Sequence, residues 1–211
     1  MDTRRFVVTV VCLCPLLAQA SSNVLPRPNS ESLGMADANV ALASGPVAQI
    51  INPANLVDIR PGGRQWEAGT LLAQVDTHFS RAAPASATRA MDINARTAYP
   101  LVPYAALAVP YSERVTLGFA VDSPHGLSTE WKDHTWDVNL GSLGSADMVK
   151  LAQLTVQRFG PAAAWRLDGG WSVGARLFAQ YVDAVDENDI ATLRASGISA
   201  GLQLGTRYRE Q

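Results

Sequence analysis

Residues 162–182, AAAWRLDGGWSVGARLFAQYV, decide the fold of this chain of 211 residues. The tight turn Asp168-Gly169-Gly170 separates two segments in which apolar side chains recur at every second position. In the second segment the apolar positions are Trp171, Val173, Ala175, Leu177, Ala179 and Tyr181, and the positions between them include Ser172, Gly174, Arg176 and Gln180. A period of two indicates a β-strand. Because the apolar face is long and aromatic at both ends, it suits a wall between lipid and water, and the sequence predicts an all-β, antiparallel transmembrane β-barrel.

The N-terminus predicts export. Arg4-Arg5 precede an apolar run over residues 6–17, which ends in the small-x-small cleavage pattern Ala18-Gln19-Ala20. A transmembrane anchor is the alternative, but the run is shorter than the roughly 20 apolar residues that cross a bilayer as a helix. We therefore expect a cleaved signal peptide over residues 1–20 and delivery to the cell outer membrane. Cys12 and Cys14 both lie in this segment, so the mature chain should contain no disulfide and no thiolate metal site.

Composition limits the possible functions. Charged residues make up 17% of the chain, hydrophobic residues 47%, and the net charge is −2, so we expect no basic surface for nucleic acid. After the N-terminal run the sequence contains no long uncharged apolar stretch. Any crossing of the membrane is therefore expected to use strands.

Six strands are expected after residue 62, at 66–79, 91–109, 115–121, 154–167, 171–183 and 197–208. The long connections 80–92, 122–153 and 184–196 alternate with the short turns 110–113 and 168–170. Outer-membrane barrels show this asymmetry, with short periplasmic turns and long extracellular loops. Pro100 and Pro103 predict a bulge or a disrupted ladder in the second strand. Because the smallest such barrels have about eight strands, we expect a partial barrel whose first and sixth strands each keep an unpaired edge.

The segment before the strands lacks a sustained period of two and forms a unit of its own, residues 21–62, with the strands occupying residues 63–211. Asn52-Pro53-Ala54 predicts a stiff turn, because proline fixes φ and asparagine side chains bond to nearby backbone. Ser44-Gly45-Pro46 is a second break in the chain. Each of these could also be an ordinary turn.

Several motifs resemble the FadL/TodX family of outer-membrane transporters. The hatch of that family resembles residues 32–41, SLGMADANVA, followed by residues 51–56, INPANL. Its third strand and the following loop resemble residues 115–119 and 124–131, and its fourth and fifth strands resemble residues 161–167 and 171–174. This chain has Gly45-Pro46-Val47 where the family commonly has an acidic pair before Asn-Pro-Ala.

The resemblance implies the first six strands of a barrel of fourteen, plugged by an N-terminal hatch to which Gly45, Pro46, Asn52, Pro53 and Ala54 would belong. It also implies passive, hatch-gated uptake of long-chain fatty acids or other hydrophobic compounds. Such a ligand would be caught by apolar extracellular loops, pass into a pocket inside the barrel and leave sideways into the membrane. The expected partners are hydrophobic small molecules, outer-membrane lipid and lipopolysaccharide.

The loop after the third strand is the candidate ligand-binding site. It concentrates large apolar side chains that would be costly to expose to water, which indicates a ligand groove. The candidate ligand-binding residues are Leu127, Trp131, Trp136, Leu140, Leu143 and Met148. The alternative is that Trp131 and Trp136 are interfacial anchors or a small loop core. Lys132, between them, could pair with a fatty carboxylate.

We predict no catalytic site, no metal and no cofactor. Asp122, Ser123, His125 and Ser128 lie close together in sequence, but a catalytic triad is defined by geometry, and the chain has no Gly-x-Ser-x-Gly elbow. The acidic stretch 183–195 lacks the glycine and terminal glutamate spacing of a calcium loop. It predicts a solvated surface loop. Two alternatives to a transporter remain open. One is a truncated, non-transporting barrel remnant, or a piece that completes a barrel with another chain. The other is a periplasmic lipid-binding β-protein.

Overall fold

The computed structural model describes residues 29–60, 62–81, 91–132, 137–139, 145–147 and 149–210. The predicted signal peptide, residues 1–20, lies outside them. Two short α-helices come first, α1 (Ser30–Gly34) and α2 (Ala48–Ile51), followed by a 3₁₀ helix (Pro53–Asp58). The strands are β1 (Gln65–Leu72), β2 (His78–Arg81), β3 (Met91–Asn94), β4 (Leu101–Pro110), β5 (Val115–Glu130), β6 (Asp137–Asn139), β7 (Ser145–Asp147), β8 (Leu151–Arg166), β9 (Trp171–Glu187) and β10 (Thr192–Tyr208).

Six strands form one antiparallel sheet in the order β1-β4-β5-β8-β9-β10. Each long strand therefore pairs with its neighbours in the chain, which confirms the prediction of six antiparallel strands. Within the described residues, β1 and β10 are the two ends of this order, so each keeps one open edge, as predicted. Asp168-Gly169-Gly170 makes the tight turn between β8 and β9: both glycines have positive φ, +70° and +82°, and the Leu167 N–H donates to the Trp171 carbonyl over 2.8 Å.

The predicted strands 66–79 and 91–109 are each divided in two. β1 pairs with β4, and β2 pairs with β3 in a separate two-stranded sheet. Between them, in the described residues, an isolated bridge joins Val75 to Ala98, and the Ala73 N–H donates to the Pro100 carbonyl over 3.1 Å. Pro100 lies at the break, where a proline cannot donate a ladder hydrogen bond, whereas Pro103 lies inside β4, opposite Thr70 of β1. The predicted disruption is therefore confirmed.

Two predicted loop boundaries are wrong. β5 continues to Glu130, so Leu127 and Asp122 lie in a strand and not in the loop. The predicted loop 184–196 is a tight turn at residues 188–191, where the Asn188 N–H donates to the Ala191 carbonyl over 3.0 Å. Acidic residues conceal these strand ends in the sequence, whereas backbone pairing with a neighbouring strand determines them in the fold. At 16 and 17 residues, β8 and β9 are longer than the roughly 9–11 residues that a strand needs to cross a bilayer.

The two faces of the sheet differ in polarity. Phe119, Trp165, Leu177 and Leu204 point away from the N-terminal segment and are exposed, Leu204 to 72%. Trp171 and Tyr208 lie on the same face with ring centroids 5.2 Å apart. On the opposite face Thr116, Ser172 and Arg176 are buried. The predicted alternation of β9 and β10 is confirmed. Of the helices in the described residues, none is long and apolar enough to span a membrane.

Candidate functional site: the covered face and the gap beside it

The N-terminal segment, residues 29–60, covers the polar face of the sheet. Leu56, Val57 and Ile59 pack against Ala108, Ala162 and Ala164 of β4 and β8. A second cluster joins Val47 and Ile50 to Ala106, Ala120 and the half-buried Tyr104. Small strand residues thus let the segment lie directly on the sheet.

Asn52, Pro53 and Ala54 form the start of the 3₁₀ helix. The Asn52 Oδ1 accepts from the Ala54 N–H over 3.1 Å, and Pro53 occupies the first position of the helix. The Asn52 side chain also donates from Nδ2 to the Thr206 carbonyl of β10, at 3.2 Å. Asparagine therefore serves both as the cap of this helix and as an attachment to the sheet.

Two cross-strand glycines, Gly174 of β9 and Gly205 of β10, make room for this turn. A Cβ atom on Gly174 would lie 2.8 Å from the Ala54 Cα and closer still to the backbone between Pro53 and Ala54. One on Gly205 would lie 3.0 Å from the Pro53 Cδ. Only a residue without a side chain permits this approach.

Gly45 and Pro46 lie at the turn that leads into α2. Gly45 has φ of +69°, and the Pro46 carbonyl accepts from the Gln49 Nε2 over 2.8 Å. The same Nε2 lies 3.2 Å from the Leu107 carbonyl and 3.4 Å from the Phe119 carbonyl. Gln203 of β10 donates to the carbonyls of Ile50 and Ile51, at 3.2 and 3.0 Å. The five predicted hatch residues therefore lie in the part of the segment that is tied to the sheet by side-chain hydrogen bonds.

An ion pair attaches the end of the segment to the last strand. Arg207 donates from both terminal nitrogens to the two Asp58 oxygens at 2.6 Å, and Arg209 approaches the same carboxylate at 3.2 Å. The hydrogen bond from Arg207 holds the pKa of Asp58 below its ordinary value of 3.8, against the opposing effect of burial. Arg166 of β8 donates to the Val57 carbonyl.

A buried charge cluster, Asp122, Arg158 and Arg176, lies on the same face. The Arg176 Nη2 is 2.7 Å from Asp122 Oδ1, and the Arg158 Nε is 3.0 Å from Asp122 Oδ2. Both guanidinium groups lie over the Phe178 ring, 5.2 and 5.5 Å from its centroid. Arg176 is 0% exposed, yet its Nε and Nη1 have no hydrogen-bond partner among the described residues. The cluster has a net charge of +1 and two unused buried donors.

A gap separates β4 from β5 beside this cluster. Their ladder ends at the pair Tyr104 and Asp122, although β4 begins at Leu101 and β5 continues to Glu130. The register of β5 against β8 shifts between Asp122 and His125, so Ser123 and Pro124 face one residue of β8, as in a β-bulge. The gap holds a cleft of about 330 Å³, lined by residues that include Leu101, Pro103, Ser123 and Gln157.

Only some of the predicted ligand-binding residues lie in the part of the chain that the structure describes. Leu127 lies in β5, paired with Leu154. Trp131 follows β5 and is buried, with its N–H donating to the Lys150 carbonyl over 2.8 Å. Lys132 is exposed. Trp136, Leu140, Leu143 and Met148 lie outside the described residues, so a groove built from this set stays a prediction.

The sequence reasoning missed the charge cluster and the Asp58 ion pair. The available signal was an arginine on the polar face of an alternating strand, at Arg176 and again at Arg207. A cation inside a wall needs a partner. The partners were not identifiable because Asp122 is 54 residues away from Arg176, and Asp58 is 149 residues away from Arg207.

A long-stranded antiparallel sheet with an exposed apolar face and a covered polar face defines the wall of a transmembrane β-barrel. The chain belongs to the outer membrane protein transport protein family (OMPP1/FadL/TodX), whose sequence model matches residues 11–207. The predicted family and the partial antiparallel barrel are thus confirmed. This family comprises transport proteins and is not a class of enzymes.

The fold is also that of a solved structure. The crystal structure of a Pseudomonas aeruginosa FadL homologue matches with a TM-score of 0.66 and 15% sequence identity, over 90% of this chain and 50% of that one. The chain therefore spans about half the length of that relative. No curated protein matches the sequence.

Proposed function

We propose that this chain serves the passive uptake of long-chain amphipathic molecules, fatty acids above all, across the outer membrane, with residues 29–60 as a movable hatch. The observation that carries the proposal is the buried Arg176, whose Nε and Nη1 have no partner among the described residues. A buried donor without a partner costs about 1–3 kcal/mol. An arriving carboxylate would satisfy both donors with charge-assisted hydrogen bonds.

The charge balance favours an anionic head group. Arg158 and Arg176 share one carboxylate, that of Asp122, so one positive charge remains to be compensated. A pure hydrocarbon would compensate none of it. Among the hydrophobic compounds that the family resemblance implies, the cluster therefore favours those with a terminal carboxylate.

The gap between β4 and β5 supplies a sideways exit. It begins at Asp122, the residue that holds both arginines, so a ligand released from the cluster is already beside the opening. No covalent step or energy source is needed, because an apolar chain passes downhill into lipid.

The attachments of the N-terminal segment suit a part that moves. The hydrogen bonds to Thr206, Ile50 and Ile51 are each worth about 0.5–1.5 kcal/mol. They can break one at a time. We propose that displacement of this segment opens the passage on the side of the short turns.

A binding assay on the purified chain in detergent tests the proposal. Radiolabelled oleate should bind to a saturable site. Arg158→Gln should weaken its binding about tenfold or more, because it removes the uncompensated positive charge of the cluster, and interactions with charged groups contribute about 1.5–3 kcal/mol. Labelled hexadecane should be affected far less. Arg114→Gln is the matched control, because Arg114 is an exposed arginine paired with Asp168 at the turn side. The proposal would be refuted if Arg158→Gln weakened the binding of oleate and hexadecane equally, or if oleate showed no saturable site.

Within the described residues the sheet is open at β1 and β10, which favours a second candidate, a barrel wall that does not transport by itself. Unpaired backbone groups in lipid cost several kcal/mol each. Uptake of labelled oleate by cells that lack their own fatty-acid porin separates the two candidates. Uptake restored by this chain supports transport, whereas oleate binding without uptake supports the second candidate.

A further inference from the structure

The cleft in the gap between β4 and β5 opens on the apolar, exposed face of the sheet. Along β8 the exposed Phe159 and Trp165 share that face, and alternation places Gln153, Thr155 and Gln157 on it as well. Gly126 and Ser128 of β5 pair with Thr155 and Gln153, and all five residues line the cleft. The opposite wall is formed by Pro100, Leu101 and Pro103.

The polar wall of the cleft, formed by Ser128, Gln153 and Thr155, lies at one boundary of the apolar band, the belt of outward apolar side chains that would face lipid. Trp171 and Tyr181 are the aromatic ends of the apolar stretch on the outward face of β9, before Asp183. They are ten residues apart, or about 33 Å along the strand and about 25 Å in height at the usual tilt. This height equals that of the apolar band of an outer-membrane barrel, about 25 Å. Gln157 pairs with Tyr181, so Thr155, Gln153 and Ser128 lie just beyond the band, at the level of lipid head groups.

The chemistry of the cleft is opposite to that of the charge cluster behind it. Among the described residues that line it there is no Asp, Glu, Lys or Arg, and His125 is the one side chain among them that can carry a charge. Its polar wall instead presents amide and hydroxyl groups, which both donate and accept hydrogen bonds. Gln157 is adjacent to Arg158, and Ser123 is adjacent to Asp122, so the two environments lie on opposite faces of the same point in the wall.

We propose that this cleft is a second head-group site, which binds the uncharged, hydrogen-bonding head of a long-chain amphiphile, such as a fatty alcohol or a protonated fatty acid, beside the membrane. Leu101 and Pro103 contact the first part of its chain, while Ser128, Gln153 and Thr155 bond to its head. A charged head entering lipid is costly, and an uncharged one still needs its hydrogen bonds replaced. The proposal rests on the proposed function, because the ligand reaches the cleft from the lumen.

Photo-crosslinking in detergent tests this site with three probes. The three probes are a primary alcohol, a carboxylate and an alkane, with chains of equal length. Each carries a diazirine at the head end of its chain. Peptide mapping then reports which residues are labelled. The alcohol should label the cleft between residues 123–128 and 153–157, the carboxylate should label the neighbourhood of Arg158 and Arg176, and the alkane should favour neither.

The variant Ser128→Ala/Gln153→Leu/Thr155→Val should lower cleft labelling by the alcohol about fivefold or more while carboxylate labelling near Arg158 is unchanged. The control Thr192→Val/Ser196→Ala removes the same hydroxyl chemistry from the exposed strand β10 and should have no effect. Cleft labelling that is equal for alcohol and alkane, or insensitive to the triple variant, would overturn the second site. If the carboxylate probe did not label the neighbourhood of Arg158 and Arg176 in the unmodified chain, the proposed function would instead be refuted.

Discussion

At the residue scale, charged side chains on the covered face are stabilised by partners distant in sequence. Asp122 accepts from Arg158 and Arg176 while only 3% exposed, and Asp58 accepts two bonds from Arg207. Removing one partner of a buried pair is more harmful than removing both, because an uncompensated charge is left behind.

We predict that Asp122→Ala lowers the free energy of unfolding by about 3–5 kcal/mol, because it leaves two arginines unpaired inside the wall. Urea titration of the protein refolded into detergent, followed by tryptophan fluorescence, measures the change. Glu113→Ala, at an exposed turn position, should change it by less than about 0.5 kcal/mol. A loss below about 1 kcal/mol for Asp122→Ala would mean that the arginines find other partners.

The Asp58 ion pair should make attachment of the N-terminal segment sensitive to acid. Because Arg207 holds the folded-state pKa of Asp58 below 3.8, the contribution of the carboxylate is complete above its unfolded pKa of about 3.9. It is lost as the pH falls through the lower, folded-state pKa. A fluorophore on Val40→Cys, an exposed position, should therefore gain rotational freedom on acidification. Asp58→Asn should show that freedom already at pH 7; a pH-independent anisotropy in the unmodified chain would contradict the prediction.

At the element scale, small residues and one bulge determine where the N-terminal segment lies and where the sheet opens. Thr116, Ala164, Gly174 and Gly205 form one cross-strand row, on which the turn at Pro53 lies. The extra residue in β5 then shifts its register at Ser123 and Pro124. A bulge bends the strand that carries it, which accounts for the separation of β5 from β4.

We predict that Gly174→Val displaces the Asn52-Pro53-Ala54 turn, because even a Cβ atom would approach the Ala54 Cα to 2.8 Å. Overpacking of this kind costs about 1–3 kcal/mol. Limited proteolysis should cleave the chain within residues 45–58 faster in this variant than in the unmodified protein. Gly197→Val is the matched control, since nothing lies within 4 Å of a Cβ added there. Equal cleavage rates in the two variants would show that the contact does not hold the segment.

Deletion of Pro124 should close the gap. It leaves one residue opposite Gln157 and restores a continuous register from Asp122 to Glu130 against β8. We expect saturable oleate binding at the cluster to persist while alcohol labelling of the cleft falls about fivefold or more. Pro124→Ala, which keeps the extra residue of the bulge, is the matched control and should leave cleft labelling unchanged. Undiminished cleft labelling after the Pro124 deletion would show that the bulge does not create the opening.

At the scale of the whole molecule, the apolar exposed face sets the environment in which the sheet is stable. Trp66, Leu117, Leu177, Ile198 and Leu202 are all exposed. An exposed apolar area of this extent is stable against lipid but promotes aggregation in water. This face argues against a periplasmic lipid-binding protein, which would turn its apolar residues inward.

Leu204→Arg should weaken insertion into lipid vesicles by about 2–4 kcal/mol, because Leu204 lies midway along the band between Tyr208 and Ile198, where a charge is most costly. Ile190→Arg should have an effect of about 0–1 kcal/mol, since Ile190 is exposed in the turn beyond the band. Sedimentation of the protein with vesicles under increasing urea compares the two. If the two variants weakened insertion to a similar extent, the apolar band would not be centred near Leu204.

The sequence by itself determined the strand periodicity, the polarity of the two faces and the turn at Asp168-Gly169-Gly170, because these depend on neighbours one or two residues away. It also pointed to the family through short motifs such as Asn52-Pro53-Ala54. Only the tertiary structure decided that Asp122 belongs to a strand, that residues 188–191 form a turn and that Arg176 retains unused donors. The acidic end of β9 resembles a loop in the sequence because charge is a local signal, whereas a strand end is fixed by pairing with another strand. The arginine cluster and the gap likewise arise from residues far apart in the chain that the register brings together.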